Sequence, residues 1–186
     1  MNAPHFDPHT PIALSRDCPA ALIPEGTQVT LEAGTTVYVT QALGGSVTVN
    51  VNGNLARIPA AHIDALGMEP IAAHADAPSG DGEVDESLIW EQLRTCYDPE
   101  IPINIVELGL IYRCAVKSRE DGAKLVEIDM TLTAPGCGMG PILVDDVREK
   151  VRTVPNVSEV VVDLPFAPPW NSEMMSEAAR LQTGMY

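Results

Sequence analysis

A glycine-rich loop between an alternating strand and an amphipathic helix constrains the fold of this chain more than any other feature. The loop runs from Thr133 to Pro141 and reads Thr-Ala-Pro-Gly-Cys-Gly-Met-Gly-Pro. Before it, apolar residues at 126, 128, 130 and 132 alternate with polar ones, which predicts a strand with Thr131 among its outward side chains. After it, apolar residues at 143, 147 and 151 predict a helix from Gly140 or Pro141 to Arg152. The segment therefore predicts a strand, a tight turn and a helix, with one thiol between them.

Cys137 is the candidate functional residue of this loop, since Gly136, Gly138 and Gly140 surround it. Near a helix start, a cysteine can meet unpaired backbone N–H groups and the positive end of the helix dipole, and both favour the thiolate. The glycines also leave room for a bulky group to approach the sulfur. The pattern favours a thiol that holds a soft metal centre or acts as a nucleophile; the alternative is a small buried residue, the usual role of a free cysteine.

The second motif is the run from Asp98 to Tyr112, which reads Asp-Pro-Glu-Ile-Pro-Ile-Asn-Ile-Val-Glu-Leu-Gly-Leu-Ile-Tyr. Asp98 and Glu100 either end a helix and open a turn, or supply oxygen ligands or an acid/base pair near the thiol. Thr133 either holds the cysteine loop or donates a hydrogen bond to a bound sulfur. Cys96 could approach the same pocket, but its place on the apolar side of a helix favours core packing.

The pattern around these motifs predicts an α+β domain over residues 84–186. A helix capped by Asp85 is expected to reach about Cys96, and a last helix to begin at Asn171 or Ser172. Strands are expected at about 110–117, before the cysteine loop, and at about 157–164. The predicted order is α-β-β-α-β-α, a two-layer domain made of one sheet and its helices.

The N-terminal part of the chain predicts a small β-rich domain over residues 12–69. Short alternating runs are separated by Gly44-Gly45 and by Asn52-Gly53, and Asn-Gly between such runs is a strong hairpin signal. Four short strands with tight turns favour an SH3-like module, followed by a short helix over residues 59–67. We expect a flexible tail over residues 1–11 and an acidic linker over residues 70–83, where small residues and prolines mix with acidic ones.

Charge and cysteine spacing bear on the compartment and the partners. The net charge of −15 disfavours binding to phosphate backbones, so no nucleic-acid partner is expected. No stretch approaches the ~18 apolar residues of a membrane span, and the polar, proline-rich start does not resemble a signal peptide. The four cysteines are widely spaced, which favours reduced thiols in the cytoplasm. Of these, Cys114 is expected in the core, and Cys18 has no assigned role.

Taken together, four segments resemble the metal–sulfur cluster biosynthesis family over roughly residues 84–182. They are the Asp98–Tyr112 run, the Gly-Cys-Gly-Met-Gly loop, Pro-Pro-Trp at 168–170 and Met-Ser-Glu-Ala-Ala-Arg at 175–180. The last three are more similar to SufT-like than to PaaD-like members, although many relatives carry Cys-Pro where this chain has Cys137-Gly138. The resemblance implies an iron–sulfur cluster assembly-like domain and an accessory factor in the maturation of iron–sulfur proteins. It also implies site roles at Asp98, Glu100, Thr133 and Cys137.

Three hypotheses follow for the function. In the preferred one, a non-enzymatic factor handles iron or an iron–sulfur cluster transiently through Cys137 as metal ligand, and binds scaffold or carrier proteins and client apoproteins. One thiol cannot complete the usual four-cysteine shell of a cluster, so a homodimer is expected. The second is a thiol enzyme with Cys137 as nucleophile, which usually needs a histidine base, and no histidine follows His74. The third is an adaptor in which Cys137 is only structural.

Overall fold

The computed structural model describes residues 9–43, 45–69 and 82–184 of the chain. The chain divides into two compact units, Met1–Ala72 and Ala73–Tyr186. Most of the predicted tail (residues 1–8) and most of the predicted acidic linker (residues 70–81) lie outside the described residues. Among the residues described, no helix is both long and apolar enough to cross a membrane.

The described residues of the N-terminal unit form one antiparallel sheet of six strands. The strands are β1 Pro11–Ala13, β2 Cys18–Ile23, β3 Gln28–Leu31, β4 Thr36–Leu43, β5 Ser46–Val51 and β6 Asn54–Ile58. Their order in the sheet is β1-β4-β5-β6-β2-β3. The predicted hairpin is confirmed between β5 and β6, where Asn52 and Gly53 both have positive φ, as a tight two-residue turn requires. A short 3₁₀ helix, Ala60–Leu66, follows between Pro59 and Gly67, as expected.

Two features of the N-terminal unit correct the sequence prediction. The described part of this unit has six strands where four were expected, because β1 and β2 were not recognised from the sequence. Pro11 already pairs with Tyr38, so the predicted tail ends before residue 11. In β2 the sequence Cys-Pro-Ala-Ala-Leu-Ile lacks polar alternation, since Ala20 and Ala21, on opposite faces of the sheet, are both buried.

The C-terminal unit has the predicted α+β class. Its helices and strands are α1 Glu86–Leu93, β7 Ile111–Ser118, β8 Lys124–Met130, α2 Gly140–Arg152, β9 Val157–Asp163 and α3 Glu177–Thr183. The sheet order is β7-β8-β9, with β7 antiparallel and β9 parallel to β8. Because parallel neighbours need a long crossover, the cysteine loop and α2 form the connection from β8 to β9.

The core of this unit is formed by apolar side chains that the helices and the sheet direct towards each other. The buried members from α1, β8, α2 and β9 are Ile89, Leu93, Val126, Ile128, Met130, Leu143, Val144, Val147, Val151, Val160 and Val162. Asp85 caps α1 by accepting a hydrogen bond from the Ser87 N–H at 2.9 Å, as predicted.

Three details of the C-terminal unit differ from expectation. The helix α1 ends at Leu93 rather than near Cys96. The last α-helix begins at Glu177, with Ser176 as its cap, whereas Asn171 caps only a 3₁₀ turn over Ser172–Met174. Thr131 was expected to face outward but is 2% exposed, because β8 has already ended and the Thr131 N–H donates to the Leu110 carbonyl at 2.8 Å.

Candidate functional site

The Asp98 motif forms a loop that is closed at its base by backbone pairing. Tyr97 and Asn104 form an isolated antiparallel bridge. On either side of it, the Asp98 N–H donates to the Ile103 carbonyl at 3.2 Å, and the Ile105 N–H donates to the Cys96 carbonyl at 2.9 Å. The loop therefore projects from a fixed base, with Asp98 on its near side.

The Asp98 carboxylate is buried and satisfied by hydrogen bonds, with 6% of the residue exposed. Its Oδ1 accepts from the backbone N–H groups of Glu100 and Ile101 at 2.8 and 2.9 Å. Its Oδ2 accepts from the Thr133 hydroxyl at 3.3 Å. This is the geometry of a turn-forming aspartate. It also joins the Asp98 loop to the start of the cysteine loop. Glu100 lies beside it with an exposed side chain.

Asn104 plays a similar part in the next turn, which sequence reasoning missed. Its Oδ1 accepts from the N–H groups of Val106 and Glu107 at 3.1 and 2.9 Å, and its carbonyl accepts from Leu108 N–H at 3.1 Å. Gly109 then adopts a φ of +71°. Asparagine often bonds the backbone two residues on in a turn and glycine supplies a positive φ, so Asn104 and Gly109 were the available signals.

The cysteine loop begins with a tight turn over residues 134–137. The Cys137 N–H donates to the Ala134 carbonyl at 3.3 Å, and Pro135 and Gly136 occupy the middle positions, with Gly136 at a φ of +77°. Proline followed by a glycine with positive φ is the chemistry of a type II turn. Pro135 and Gly136 are exposed, and Cys137 is partly buried against the core.

Cys137 was expected at the start of the helix, but the structure places it just before the helix. The helix α2 begins at Gly140 with Met139 as its N-cap, so Cys137 lies two residues before the cap. The Cys137 carbonyl accepts from the Gly140 N–H at 3.1 Å, which continues the turn into the helix. Gly140 packs closely, since a Cβ built there would lie 2.8 Å from Cδ1 of Leu132.

The structure thus links two of the predicted site residues directly, Asp98 and Thr133. Cys137 follows Thr133 in the same loop, and Glu100 is on the exposed side of the Asp98 loop. The described residues include no group of three or more His, Cys, Asp or Glu side chains arranged to hold a metal ion.

The other three cysteines lie in or against the two hydrophobic cores. All four cysteines are free thiols. Cys18 and Cys96 are completely buried, as expected for Cys96 in the core. Cys114 is partly buried against the core, and this burial, with a smaller effect of Glu86, raises the pKa of its thiol to about 11. These positions leave Cys137 as the thiol in a glycine-flanked, partly open loop.

The sequence singled out parts of the segment over residues 165–176, here called the C-terminal strap, but its contacts were not predicted. The Trp170 indole Nε1–H donates to the Leu108 carbonyl at 2.7 Å, and the Tyr112 hydroxyl donates to the Pro168 carbonyl at 2.6 Å. The Ser176 N–H donates to the Glu107 carbonyl at 2.8 Å. The strap therefore lies across the turn that follows the Asp98 loop.

Comparison with known proteins shows which family this domain belongs to. Residues 86–162 match the family model described as iron–sulfur cluster assembly protein. A Fe-S protein maturation auxiliary factor of Porphyromonas gingivalis is 50% identical over 99 residues, which are 53% of this chain and 90% of that protein. The chain therefore belongs to the iron–sulfur cluster assembly protein family, and the resemblance seen in its motifs is confirmed.

Two further relatives carry more specific names. The Fe-S protein maturation auxiliary factor SufT of Staphylococcus aureus is 39% identical over 88 residues, covering 47% of this chain and 96% of that protein. The Fe-S protein maturation auxiliary factor YitW of Bacillus subtilis is 40% identical over 97 residues, covering 52% of this chain and 91% of that protein.

Proposed function

We propose that this protein is an accessory factor in iron–sulfur cluster assembly, in which Cys137 transiently holds iron or a cluster on its way to a client protein. The observation that carries the proposal is the position of Cys137. It lies in a partly open glycine turn, four residues after Thr133, whose hydroxyl donates a hydrogen bond to the buried Asp98. The relatives named as Fe-S protein maturation auxiliary factors support this role.

The chemistry of a thiolate suits this cargo. Thiolates are soft ligands that bind iron–sulfur clusters, and such clusters are usually held by four cysteines. Cys137 supplies one ligand, so the others come from a second copy of the chain, from a scaffold or carrier protein, or from the client apoprotein. We therefore propose a homodimer that exchanges ligands with its partners.

The other site residues have distinct proposed roles. Asp98 and Thr133 set the shape of the loop through the hydrogen bond between them, which uses the one proton of the Thr133 hydroxyl. Glu100 has an exposed carboxylate, a hard oxygen ligand that would hold iron beside the thiolate during transfer. We propose that the protein is not an enzyme, since a nucleophilic thiol usually needs a histidine base and no histidine follows His74 in the sequence.

The layers of the C-terminal unit, the fold of the N-terminal unit and the cellular compartment are also part of the proposal. The buried face of α1 and α2 packs on the sheet of the C-terminal unit, which supports a two-layer domain over residues 84–186. We propose an SH3-like module over residues 12–69, joined to it by the acidic linker over residues 70–83. The cytoplasm is the proposed compartment, because free, widely spaced thiols suit reducing conditions.

Anaerobic reconstitution with iron and sulfide tests the proposal. The parent protein should take up iron with cluster-type absorption and Mössbauer signals, and Cys137→Ser should lose most of that signal. Cys114→Ser is the matched control, since its thiol is also partly buried but lies in β7, and it should behave as the parent. Equal uptake by Cys137→Ser and the parent would remove Cys137 from the site.

A further inference from the structure

The C-terminal strap contacts the turn over residues 104–110 through main-chain carbonyl groups. The Trp170 indole N–H and the Ser176 N–H donate to two successive carbonyls, those of Leu108 and Glu107, at 2.7 and 2.8 Å. Leu108 is completely buried, and a buried carbonyl that loses its donor is costly to leave unpaired. Gly109 lets the strap approach, because a Cβ there would lie 2.8 Å from the Met174 carbonyl carbon and closer still to its oxygen.

A continuous set of hydrogen bonds connects this turn to the cysteine loop. The turn is bonded within itself through Asn104, and Asn104 pairs with Tyr97 at the base of the Asp98 loop. The Asp98 carboxylate then accepts from the hydroxyl of Thr133, where the cysteine loop begins. A movement of the turn is therefore transmitted to the cysteine loop, and the path consists only of backbone contacts and contacts of short side chains.

We propose that Trp170 is a positioning residue: by holding the Leu108 carbonyl, it fixes the Asp98 loop and, through Thr133, the loop that presents Cys137. The inference rests on the proposed function of Cys137 and deepens it. It assigns a role to the strap, which contains no thiol, imidazole or metal-ligating cluster of its own. In this role the strap keeps the cysteine loop in one conformation until a partner binds.

The test compares the only two tryptophans of the chain. Trp170→Phe keeps an aromatic ring against the core but removes the indole N–H that Leu108 accepts. Trp90→Phe is the matched control, since Trp90 is also partly buried against the same core but lies in α1. The full chain is used, with two readouts: the alkylation rate of Cys137 by mass spectrometry, and amide hydrogen exchange by NMR.

In Trp170→Phe, the amide protons of Glu100 and Ile101 should exchange faster by about fivefold, the change expected for losing one net hydrogen bond. Cys137 alkylation should rise by a similar factor, while the amide of Ile128 in β8 should keep the parent rate. Trp90→Phe should leave Cys137 alkylation at the parent value. If Trp170→Phe does not fold, Tyr112→Phe, which loses the hydroxyl donor to Pro168, should show the same local effect more weakly.

Two results would overturn the inference. One is an unchanged alkylation rate of Cys137 together with unchanged amide exchange at Glu100 and Ile101. The other is a uniform rise in amide exchange that includes Ile128, since that would mean a general loss of stability. Failure of the proposed function is separate: Cys137→Ser would then mature client proteins as the parent does, whereas exchange and alkylation decide the role of Trp170 alone.

Discussion

Gly109→Ala should destabilise the C-terminal unit more than an ordinary glycine replacement. Gly109 has a φ of +71°, and a left-handed backbone costs an alanine about 1 kcal/mol. The added Cβ would also lie 2.8 Å from the Met174 carbonyl carbon and 3.1 Å from the Met174 Cβ. Because the nearest atoms belong to the backbone, they cannot rotate away, and such overpacking costs about 2 kcal/mol more.

The free energy of unfolding should therefore fall by about 3 kcal/mol. Gly122→Ala is the matched control, since Gly122 has a φ of +84° but a Cβ there meets nothing within 4 Å. It should lose only the backbone contribution of about 1 kcal/mol.

Urea unfolding followed by tryptophan fluorescence measures both variants. Trp90 and Trp170 both lie in the C-terminal unit, so the signal reports on that unit. With a slope of about 1.5 kcal/mol per molar urea, the midpoint should fall by about 2 M for Gly109→Ala and by less than about 1 M for Gly122→Ala. Equal shifts in the two variants would refute the close approach of the strap to Gly109.

Three further predictions concern the site and the domain boundary. Cys137 should be alkylated fastest of the four thiols at pH 8. Burial raises the pKa of the Cys114 thiol to about 11, so Cys114 should stay largely neutral and react slowly. Faster labelling of Cys114 than of Cys137 in a mass-spectrometric time course would contradict this. Glu100→Gln should stay within about 0.5 kcal/mol of the parent in thermal melting yet impair client maturation, whereas Asp98→Asn should lose about 1–2 kcal/mol because its carboxylate accepts three hydrogen bonds. Equal stability losses at the two positions would argue against this division. Limited proteolysis should cut within about residues 70–86, because an acidic, Gly/Pro-rich sequence cannot bury itself. Cleavage that spares this stretch and digests the β-rich module would contradict a domain boundary there.

The sequence predicted the C-terminal elements well because their signals are local. Asp85 caps α1, Pro141 lies in the first turn of α2, and the alternation over residues 126–132 marks the strand before the cysteine loop. Each of these signals depends on neighbours within a few positions, so a pattern of residue types is sufficient to predict the helix or strand. The glycines around Cys137 identified the candidate residue, and the family resemblance then implied its role.

The parts that were missed depend on contacts between distant segments. Trp170 and Leu108 are 62 residues apart, and the acceptor is a main-chain carbonyl, which has no side-chain signature. In β2, Ala20 and Ala21 show no alternation because they point to opposite faces of the sheet and both are buried. The burial of Asp98 could not be read from its sequence either, since its third hydrogen bond comes from Thr133, 35 residues away.

The most direct test of the account is client maturation by Cys137→Ser. Cells that lack the native protein would express the parent, Cys137→Ser or Cys114→Ser at matched levels, and the activity of an iron–sulfur enzyme would be measured alongside the amount of that enzyme. The account predicts that Cys114→Ser restores activity as the parent does and that Cys137→Ser leaves the enzyme present but without its cluster. Full activity with Cys137→Ser would contradict the claim that this thiol handles the iron or cluster.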